Sequence, residues 1–567
     1  MTDAQKLSDR PPSLSPDAVR ILPLGGLGEI GLNMMVIESR GTLLIIDCGL
    51  MFPESYMLGI DLVIPDITAI AARKDDIAAL LLTHGHEDHI GAIPFLLEEL
   101  GNPPIYGSPL TLGLLTNKLD EHHLSGSAEL HKIQLRQPIA IGPFEVEFFR
   151  VAHSIVDGCG LAINTPAGRI VHTGDFKLDP TPVDSQPTDI GRLAAFGEQG
   201  TLLLLADSTN VERPGQTLSE RTVGNALMDL MPACQGRILV STFSSNIHRI
   251  QQVVDAATHC GRKMTVSGRS MVSNIAIARQ LGYLHIPDGM LVDLSQMRDL
   301  PRNELVILTT GSQGEPLSSL SRIAMDDHKQ IRLEVGDTVI LSSKFIPGNE
   351  RAIAHLINHL YRRGAKVHYE TTSEIHVSGH ASQEELKTVL GLVKPRYFVP
   401  VHGEFRHLAQ HAELACAMQI PQDRVILLEN GVPLVLSSSG HHLEARVETG
   451  RVFIDGKGVG DVGEMELRDR RHLANHGLVI VFLALNQSTG QVISGPDIVT
   501  RGFIPEDTNQ QMLDSARDLV RDMLSEHSLE SLADWEELRV EVRKTLRRFF
   551  NKQIERRPLI LPVVMSL

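Results

Sequence analysis

The sequence predicts an α/β protein built from several domains, and three observations carry that reading. From residue 20 to residue 215, short apolar runs alternate with turn signals and with loops bearing histidine and aspartate. Residues 216–377 alternate strand-like apolar runs with helical patterns, the rhythm of a parallel sheet covered by helices. Residues 463–567 read strand, strand, helix, helix, strand, a small α/β appendage. At 567 residues the chain exceeds what one hydrophobic core accommodates.

Taken in order, residues 1–19 are polar, carry Pro11-Pro12 and lack an apolar stretch, so a disordered lead-in is expected rather than a secretion signal. The first domain opens at residue 20, with strands expected at Leu43–Cys48, Ile77–Leu82, Arg169–His172 and Leu202–Ala206. In the middle block, helices are expected at Asn246–His259 and Val272–Leu281, and strands at Ile238–Ser241, Leu305–Thr309 and Thr338–Ser342. Histidine-rich chemistry resumes at His376–His402, so the block 216–377 reads as an insertion and residues 378–445 as the second part of the first domain. Residues 446–462 are rich in glycine and read as a linker. The C-terminal domain, 463–567, is expected to place helices at Gln511–His527 and Leu532–Ile554 and a strand at Leu559–Val564.

Bulk properties exclude several classes. A hydrophobic content of 42% and a mean hydropathy of −0.02 suit a globular protein. No apolar stretch reaches the ~18 residues that span a bilayer, so no membrane partner is expected. The five cysteines are scattered without a CxxC pair, which fits a reducing cytoplasm. A net charge of −16 taken alone argues against nucleic acid, but the local field along a cleft outweighs the total. Seven basic residues between Arg543 and Arg557 face one acid, Glu555, and read as a solvated helix face.

The densest chemistry lies in Thr83-His84-Gly85-His86-Glu87-Asp88-His89-Ile90-Gly91. Four candidate metal ligands, His84, His86, Asp88 and His89, follow a buried strand, and Ile90–Leu100 reads as the helix behind them. Imidazole and carboxylate suit zinc or manganese, and such short spacing gathers ligands around a metal pair. The remaining ligands must come from other strand ends, where His153, Asp175 and His402 stand. Asp47 closes the run Leu43–Ile46 and is expected to orient a histidine rather than to bind metal. The pattern points to a metal-dependent hydrolase.

These residues resemble the metallo-β-lactamase superfamily, whose successive motifs match Asp47, the His84–His89 loop, His153 and Asp175. The resemblance implies an αββα sandwich and two divalent metals, zinc or manganese. His84, His86 and His153 would hold one metal, Asp88, His89 and His402 the other, and Asp175 would bridge them. Ala206-Asp207-Ser208-Thr209-Asn210, Ser378-Gly379-His380 and Val401-His402-Gly403 look like the three further motifs of the β-CASP nucleases. That likeness implies an inserted β-CASP α/β domain, with His380 paired to Asp207 and placed to protonate the leaving oxygen. Asp207, His380 and Asp88 are thus the catalytic candidates.

From residue 20 to the end the chain is similar to the bacterial ribonuclease J family. Leu22–Gly31, Gly49-Leu50-Met51-Phe52-Pro53, Gly268-Arg269-Ser270-Met271, Thr310–Pro316, Ile346–Glu350, His376–Ser382 and Arg557–Val564 carry the likeness. It implies hydrolysis of single-stranded RNA by 5′→3′ exonuclease and endonuclease action, in RNA maturation and decay. It also implies a pocket for a 5′-monophosphate, for which Ser245, Asn246, Arg269 and the loop His376, Val377, Ser378, Gly379, His380 offer donors. A homodimer or homotetramer formed through the C-terminal domain, other RNA-degradation proteins as partners, and a structural calcium at Asp455 complete the expectation. Two positions depart from the pattern: Leu32 and Ser273 stand where a lysine is common. Alternatives are a β-CASP nuclease acting on DNA, and an RNA-binding scaffold with a structural metal.

Gly26-Leu27-Gly28-Glu29-Ile30-Gly31 matches GxGxxG, but a dinucleotide fingerprint must open a helix. Asn33–Glu38 reads as a second strand instead. One Trp, six Tyr and 16 Phe leave little for base stacking, so sequence-tolerant handling of the RNA backbone is expected.

Overall fold

The computed structural model describes residues 14–346, 349–370, 375–456, 458–486, 492–505, 509–526 and 535–566. Of the expected lead-in, residues 1–13 lie outside the described residues, and Val19 already belongs to the first strand, Val19–Gly25. That strand pairs antiparallel with Met34–Ser39, so the glycine-rich turn between them closes a hairpin and opens no helix. The dinucleotide reading fails on this geometry.

Two sheets pack face to face. One has eight strands and is built around Val19–Gly25, Met34–Ser39, Thr42–Ile46 and Ile77–Leu81. The other has six and contains Phe144–Arg150, Cys159–Thr165, Gly168–His172, Leu203–Asp207 and Tyr397–Val401. Alternation along each strand decides which side chain meets which layer. Leu203 and Leu205 enter the core between the sheets with Ile21, Ile37, Leu44 and Leu81. Leu204 and Ala206 point the other way, against Phe196, Leu386 and Leu390 of the covering helices Ile190–Gln199 and Gln383–Val393. Each fully buried leucine contributes roughly 1.5–3 kcal/mol, so this alternation fixes the register of the strand ends where the candidate ligands sit.

The expected helix Ile90–Leu100 is broken into two short turns, Glu87–Ile90 and Ile93–Leu96. Pro94 has no N–H to extend the first turn, and Ala92 N–H bonds Cys48 O instead.

After Asp207 the chain leaves this sandwich and returns as Tyr397–Val401, which pairs parallel with Leu203–Asp207 along its whole length. The excursion builds a five-stranded sheet in the order Lys263–Ser267, Leu305–Thr309, Ile238–Ser241, Thr338–Leu341, Lys366–His368, all parallel. The helices Ile247–His259 and Arg269–Gln280 each follow a strand of it.

A second compact unit comprises residues 53–61 and 453–567. Leu478–Leu485 is its central strand, antiparallel to Val492–Arg501 and parallel to Leu559–Ser566. Helices Gln510–Glu526 and Trp535–Ile554 bury Leu513, Val520, Val542, Leu546 and Phe550 against this sheet. The segment 527–534, part of which was expected to be helical, lies outside the described residues. Arg543, Arg547, Arg548 and Lys552 lie exposed on the second of these helices. An additional helix, Glu464–His476, precedes the sheet and was not expected. Only Leu467 of it is buried, so no apolar stripe betrays it, and its first turn is held by Glu466 accepting from Gly463 N–H at 2.9 Å. The glycine-rich segment before it contains the strand Arg451–Asp455 and a short return at Gly458–Val459.

Candidate metal centre

The strand ends deliver the side chains. Asp47 follows Thr42–Ile46, the His84–His89 turn follows Ile77–Leu81, Asp175 follows Gly168–His172 and His402 follows Tyr397–Val401. Asp47 and His402 both hold left-handed backbone, with φ of 58° and 54°. Aspartate and histidine tolerate that region better than most residues, and sites are where such strain collects. Gly49 lets the motif turn sit close, because a Cβ there would lie 1.6 Å from Asp88 O.

His84, His86, His153 and Asp175 form one group of converging ligand atoms, and Asp88, His89, Asp175 and His402 a second. In the first, His86 Nδ1 lies 3.0 Å from His84 Nε2 and 3.3 Å from His153 Nε2. Zinc–nitrogen bonds of ~2.0–2.1 Å at tetrahedral angles place two nitrogens about 3.3 Å apart. In the second, Asp88 Oδ2 lies 3.6 Å from His89 Nε2 and 3.4 Å from His402 Nε2. Asp175 Oδ2 stands between the groups, 3.3 Å from His89 Nε2 and 3.8 Å from both His84 Nε2 and His153 Nε2.

Hydrogen bonds behind the ligands assign the tautomers. His153 Nδ1 donates to Gly379 O at 2.8 Å, leaving the Nε2 lone pair inward. Asp47 accepts from His89 Nδ1 at 2.7 Å and from Thr83 Oγ1 at 2.8 Å. With its proton committed there, Thr83 Oγ1 accepts from His84 Nδ1 at 3.0 Å. The inward nitrogens of His84 and His153 thus carry lone pairs. His402 Nε2 is buried without a hydrogen-bond partner among the described residues. A cation satisfies these atoms where a proton shared among them cannot, so the residues fit a metal pair.

Electrostatics divide the groups. Burial holds His84 and His153 well below the usual imidazole range and pushes His86 down to about 4. Burial works in the same direction on His402, but Asp175, Asp88 and Asp207 overcome it and raise His402 to about 10. Against burial, Asp175, Asp88 and Asp47 likewise raise His89 well above its ordinary value. Asp175 and Asp88, despite burial, are lowered by His402 and His89.

Beside the cluster, His380 Nδ1 donates to Asp207 Oδ2 at 2.7 Å. The His380 ring centre lies 4.8 Å from that of His153 and 5.6 Å from that of His402. Burial opposes the charge on Asp207, yet the adjacent His380 lowers its carboxyl pKa.

Comparison with known proteins decides the family. The description "Metallo-beta-lactamase superfamily" matches residues 27–207, "Ribonuclease J, beta-CASP domain" 235–360, "Zn-dependent metallo-hydrolase RNA specificity domain" 364–421, and "Ribonuclease J C-terminal domain" 465–567. Ribonuclease J2 of Bacillus subtilis is 41% identical over 97% of this chain and 99% of its own length. The chain belongs to the ribonuclease J family. Ribonuclease J of Thermus thermophilus is 43% identical over 97% of this chain and 96% of that protein, and ribonuclease J of Mycobacterium tuberculosis 40% over 99% and 100%. A solved structure from Enterococcus faecalis V583, titled a protein of unknown function, aligns with a TM-score of 0.53 at 18% identity, covering 74% of this chain and all of that one, and shares the fold.

This ribonuclease J chain is therefore a metal-dependent ribonuclease with a metallo-β-lactamase domain, an inserted β-CASP domain and a C-terminal ribonuclease J domain. The scaffold and DNA alternatives give way to that membership. No described helix is long and apolar enough to cross a membrane.

The remaining predicted positions fall as follows. Ser378 and Gly379 lie on the loop that carries His380, with Val377 buried behind them. His376 is on the same loop and neither ring nitrogen has a hydrogen-bond partner among the described residues. Asn246 caps the helix Ile247–His259, its side-chain oxygen accepting from Arg249 N–H at 3.0 Å, beside the half-buried Ser245. Arg269 is exposed at the start of the helix Arg269–Gln280. Asp455 is engaged by Arg470 at 2.6 Å. Leu32 is only 1% exposed, so its side chain belongs to the core rather than to an RNA-facing surface. Ser273 is half-buried.

Sequence reasoning missed Thr83, Asn33 and Thr209. Asn33 Nδ2 donates to Asp88 O at 3.1 Å, and Thr209 Oγ1 donates to His402 O at 3.1 Å. Thr83 adjoins the motif and was open to inference. Asn33 is 55 residues from its partner and left no signal.

Proposed function

We propose that this chain holds two divalent metal ions, zinc or manganese, and degrades single-stranded RNA 5′→3′ from 5′-monophosphate ends, with additional internal cleavage. His84, His86 and His153 hold one ion, Asp88, His89 and His402 the other, and Asp175 serves both. The observation that carries this reading is the Asp175 carboxylate standing within 3.8 Å of ligand nitrogens from both groups, with the His380–Asp207 pair alongside. When bound, such a metal pair supplies water acidified toward neutral pH and stabilises the charge of an in-line displacement.

The chain's own groups supply the rest. Water oxygen adds to phosphorus and sheds a proton to solvent, the P–O3′ bond breaks, and His380 gives its Nε2 proton to O3′ and regains one from solvent, leaving a 3′-hydroxyl and a 5′-phosphate. Asp207 holds the His380 ring by Nδ1 and so fixes the direction of Nε2. His376 has both nitrogens buried without partners among the described residues, and burial, then Arg249, Lys344, Lys177 and Arg213, hold it well below the usual imidazole range. The His376 ring nitrogens, without partners among the described residues and beside Ser378 and Gly379, support recognition of a terminal phosphate dianion. Arg269, Ser245 and Asn246 belong to the same proposed surface.

The protein is proposed to act in the cytoplasm in RNA maturation and decay, to assemble as a homodimer or homotetramer through residues 463–567, and to meet other RNA-degradation proteins. Light scattering of a chain lacking those residues tests the assembly. A structural calcium at Asp455 has to compete with Arg470, and calcium titration of Arg470→Ala against the unaltered chain tests it.

The deciding experiment is cleavage of one body-labelled RNA bearing a 5′-monophosphate, 5′-triphosphate or 5′-hydroxyl, with added Mn²⁺ or Zn²⁺. Mononucleotide release fastest from the monophosphate is expected. Equal rates from all three ends overturn the pocket, and a matched DNA strand reads out the need for the 2′-hydroxyl.

A further inference from the structure

The loop 375–382 carries His380, and it is pinned at three carbonyls. At its far end Thr217 Oγ1 and Asn210 Nδ2 donate to His380 O at 2.8 and 3.3 Å. In the middle Gly379 O accepts from His153. At its near end Ile375 O accepts from Arg249 Nη1 at 3.0 Å and from Ser342 Oγ at 2.6 Å.

Arg249 is the unusual anchor. It is a fully buried guanidinium, 0% exposed, in the helix Ile247–His259 of the inserted domain. Its Nη1 also donates to Ser342 O at 3.0 Å and to Ser342 Oγ at 2.6 Å, and Nε donates to Gln252 at 3.2 Å. Nη2 pairs with Glu220, whose second oxygen lies 3.9 Å from Lys177 Nζ. Lys177 is two residues beyond Asp175 and lies 3.6 Å from Asp179. Two cations and two carboxylates are thus buried together with their charges matched. A buried quartet of this kind is costly as a stabiliser, and its better-attested use is to specify one arrangement. Here one guanidinium holds the loop bearing the proton donor and, through Glu220, meets the segment leaving the shared metal carboxylate.

We propose that Arg249 is a positioning residue that sets the distance between the His380 imidazole and the metal centre. It touches no substrate and acts through the Ile375 carbonyl. The inference rests on His380 being the leaving-group acid. A displacement of about 1 Å at a proton donor is worth on the order of 10²-fold in rate, which makes the role measurable.

The test uses the full-length chain and two RNAs, one ordinary and one with a bridging sulfur in place of O3′ at a single linkage. A thiolate leaves without a proton, so loss of acid catalysis is rescued by sulfur and loss of fold is not. His380→Ala is the reference variant, while Arg249→Ala, Arg249→Lys and Ser342→Ala are the probes. Expected is a kcat on ordinary RNA at least about tenfold lower for Arg249→Ala, with KM little changed and with most of the loss recovered at the sulfur linkage. Arg249→Lys, which keeps the charge and one donor direction, should fall between it and the unaltered chain. Ser342→Ala removes a neutral anchor from the same carbonyl and decides the matter if Arg249→Ala does not fold. Equal losses on both RNAs for the folded probes, or unaltered kcat in all of them, overturn the inference. If His380→Ala itself is not rescued by sulfur, the acid reading fails first and is seen to fail independently of Arg249.

Discussion

On one side of Asp175 stand three imidazoles, His84, His86 and His153; on the other stand Asp88, His89 and His402. The first group is buried among histidines, so its nitrogens are neutral lone pairs, with His86 near 4. The second is buried among carboxylates, so it keeps its protons, with His402 near 10. The same side chain titrates in opposite directions within one cluster because burial prevails in the first group, whereas the carboxylates overcome it in the second. A metal entering the first group displaces no proton at pH 7. One entering the second has to displace those on His89 and His402.

The largest effects come from removing ligands. Asp175→Ala should abolish RNA cleavage and lose both ions, whereas His84→Ala should abolish cleavage and lose the ion of the three-histidine group first. Metal content by mass spectrometry, with melting curves to show that the fold survives, checks this. Retention of both ions by Asp175→Ala would break the comparison at its centre.

Asp47 separates the groups next. It holds His89 directly but reaches His84 only through Thr83. Asp47→Ala should weaken metal binding roughly 10–100-fold, the usual cost of losing such a partner, and more at the carboxylate-rich group. Two binding isotherms weakened to the same degree would count against the asymmetry.

Proton release sharpens it further. The raised values of His89 and His402 mean that affinity at the second group falls as pH drops below about 10, while His86, at about 4, keeps the first group unaffected until far lower pH. Calorimetry at pH 7 in buffers of differing ionisation enthalpy should show protons released with one ion and not with the other.

The smallest effect expected is at Gly379, where a Cβ would lie 2.7 Å from His153 Cε1. Gly379→Ala should weaken the three-histidine ion by about tenfold through its displaced ligand, and leave the other nearly unchanged. Equal weakening of both ions would show that the loop does not act through His153.

Much of this was open to reading in the sequence. His84, His86, Asp88 and His89 declare themselves by spacing within a single turn, and His153, Asp175 and His402 by following apolar runs that could only be strands. The seven side chains lie in one cluster. The strands Ile238–Ser241 and Leu305–Thr309 were legible to the residue because continuous apolar runs have few other uses. The helix Glu464–His476 was not, because a helix exposed on most sides carries no periodic signal. Asn33, Thr209 and Arg249 were not, because a hydrogen bond between residues 55 to 193 positions apart leaves no mark on local pattern.

The sequence by itself determined which residues have metal chemistry, the order of strands and helices that bears them, and the excursion of the chain between two strands of one sheet. Tertiary structure alone decided which nitrogen of each histidine faces inward, which histidine Asp47 steadies, and that the two ligand groups hold protons oppositely. Ligand type is a property of a side chain and is carried by the chain wherever it goes. Tautomer, charge and reach are properties of neighbours, and neighbours exist only once the strand ends have been brought together.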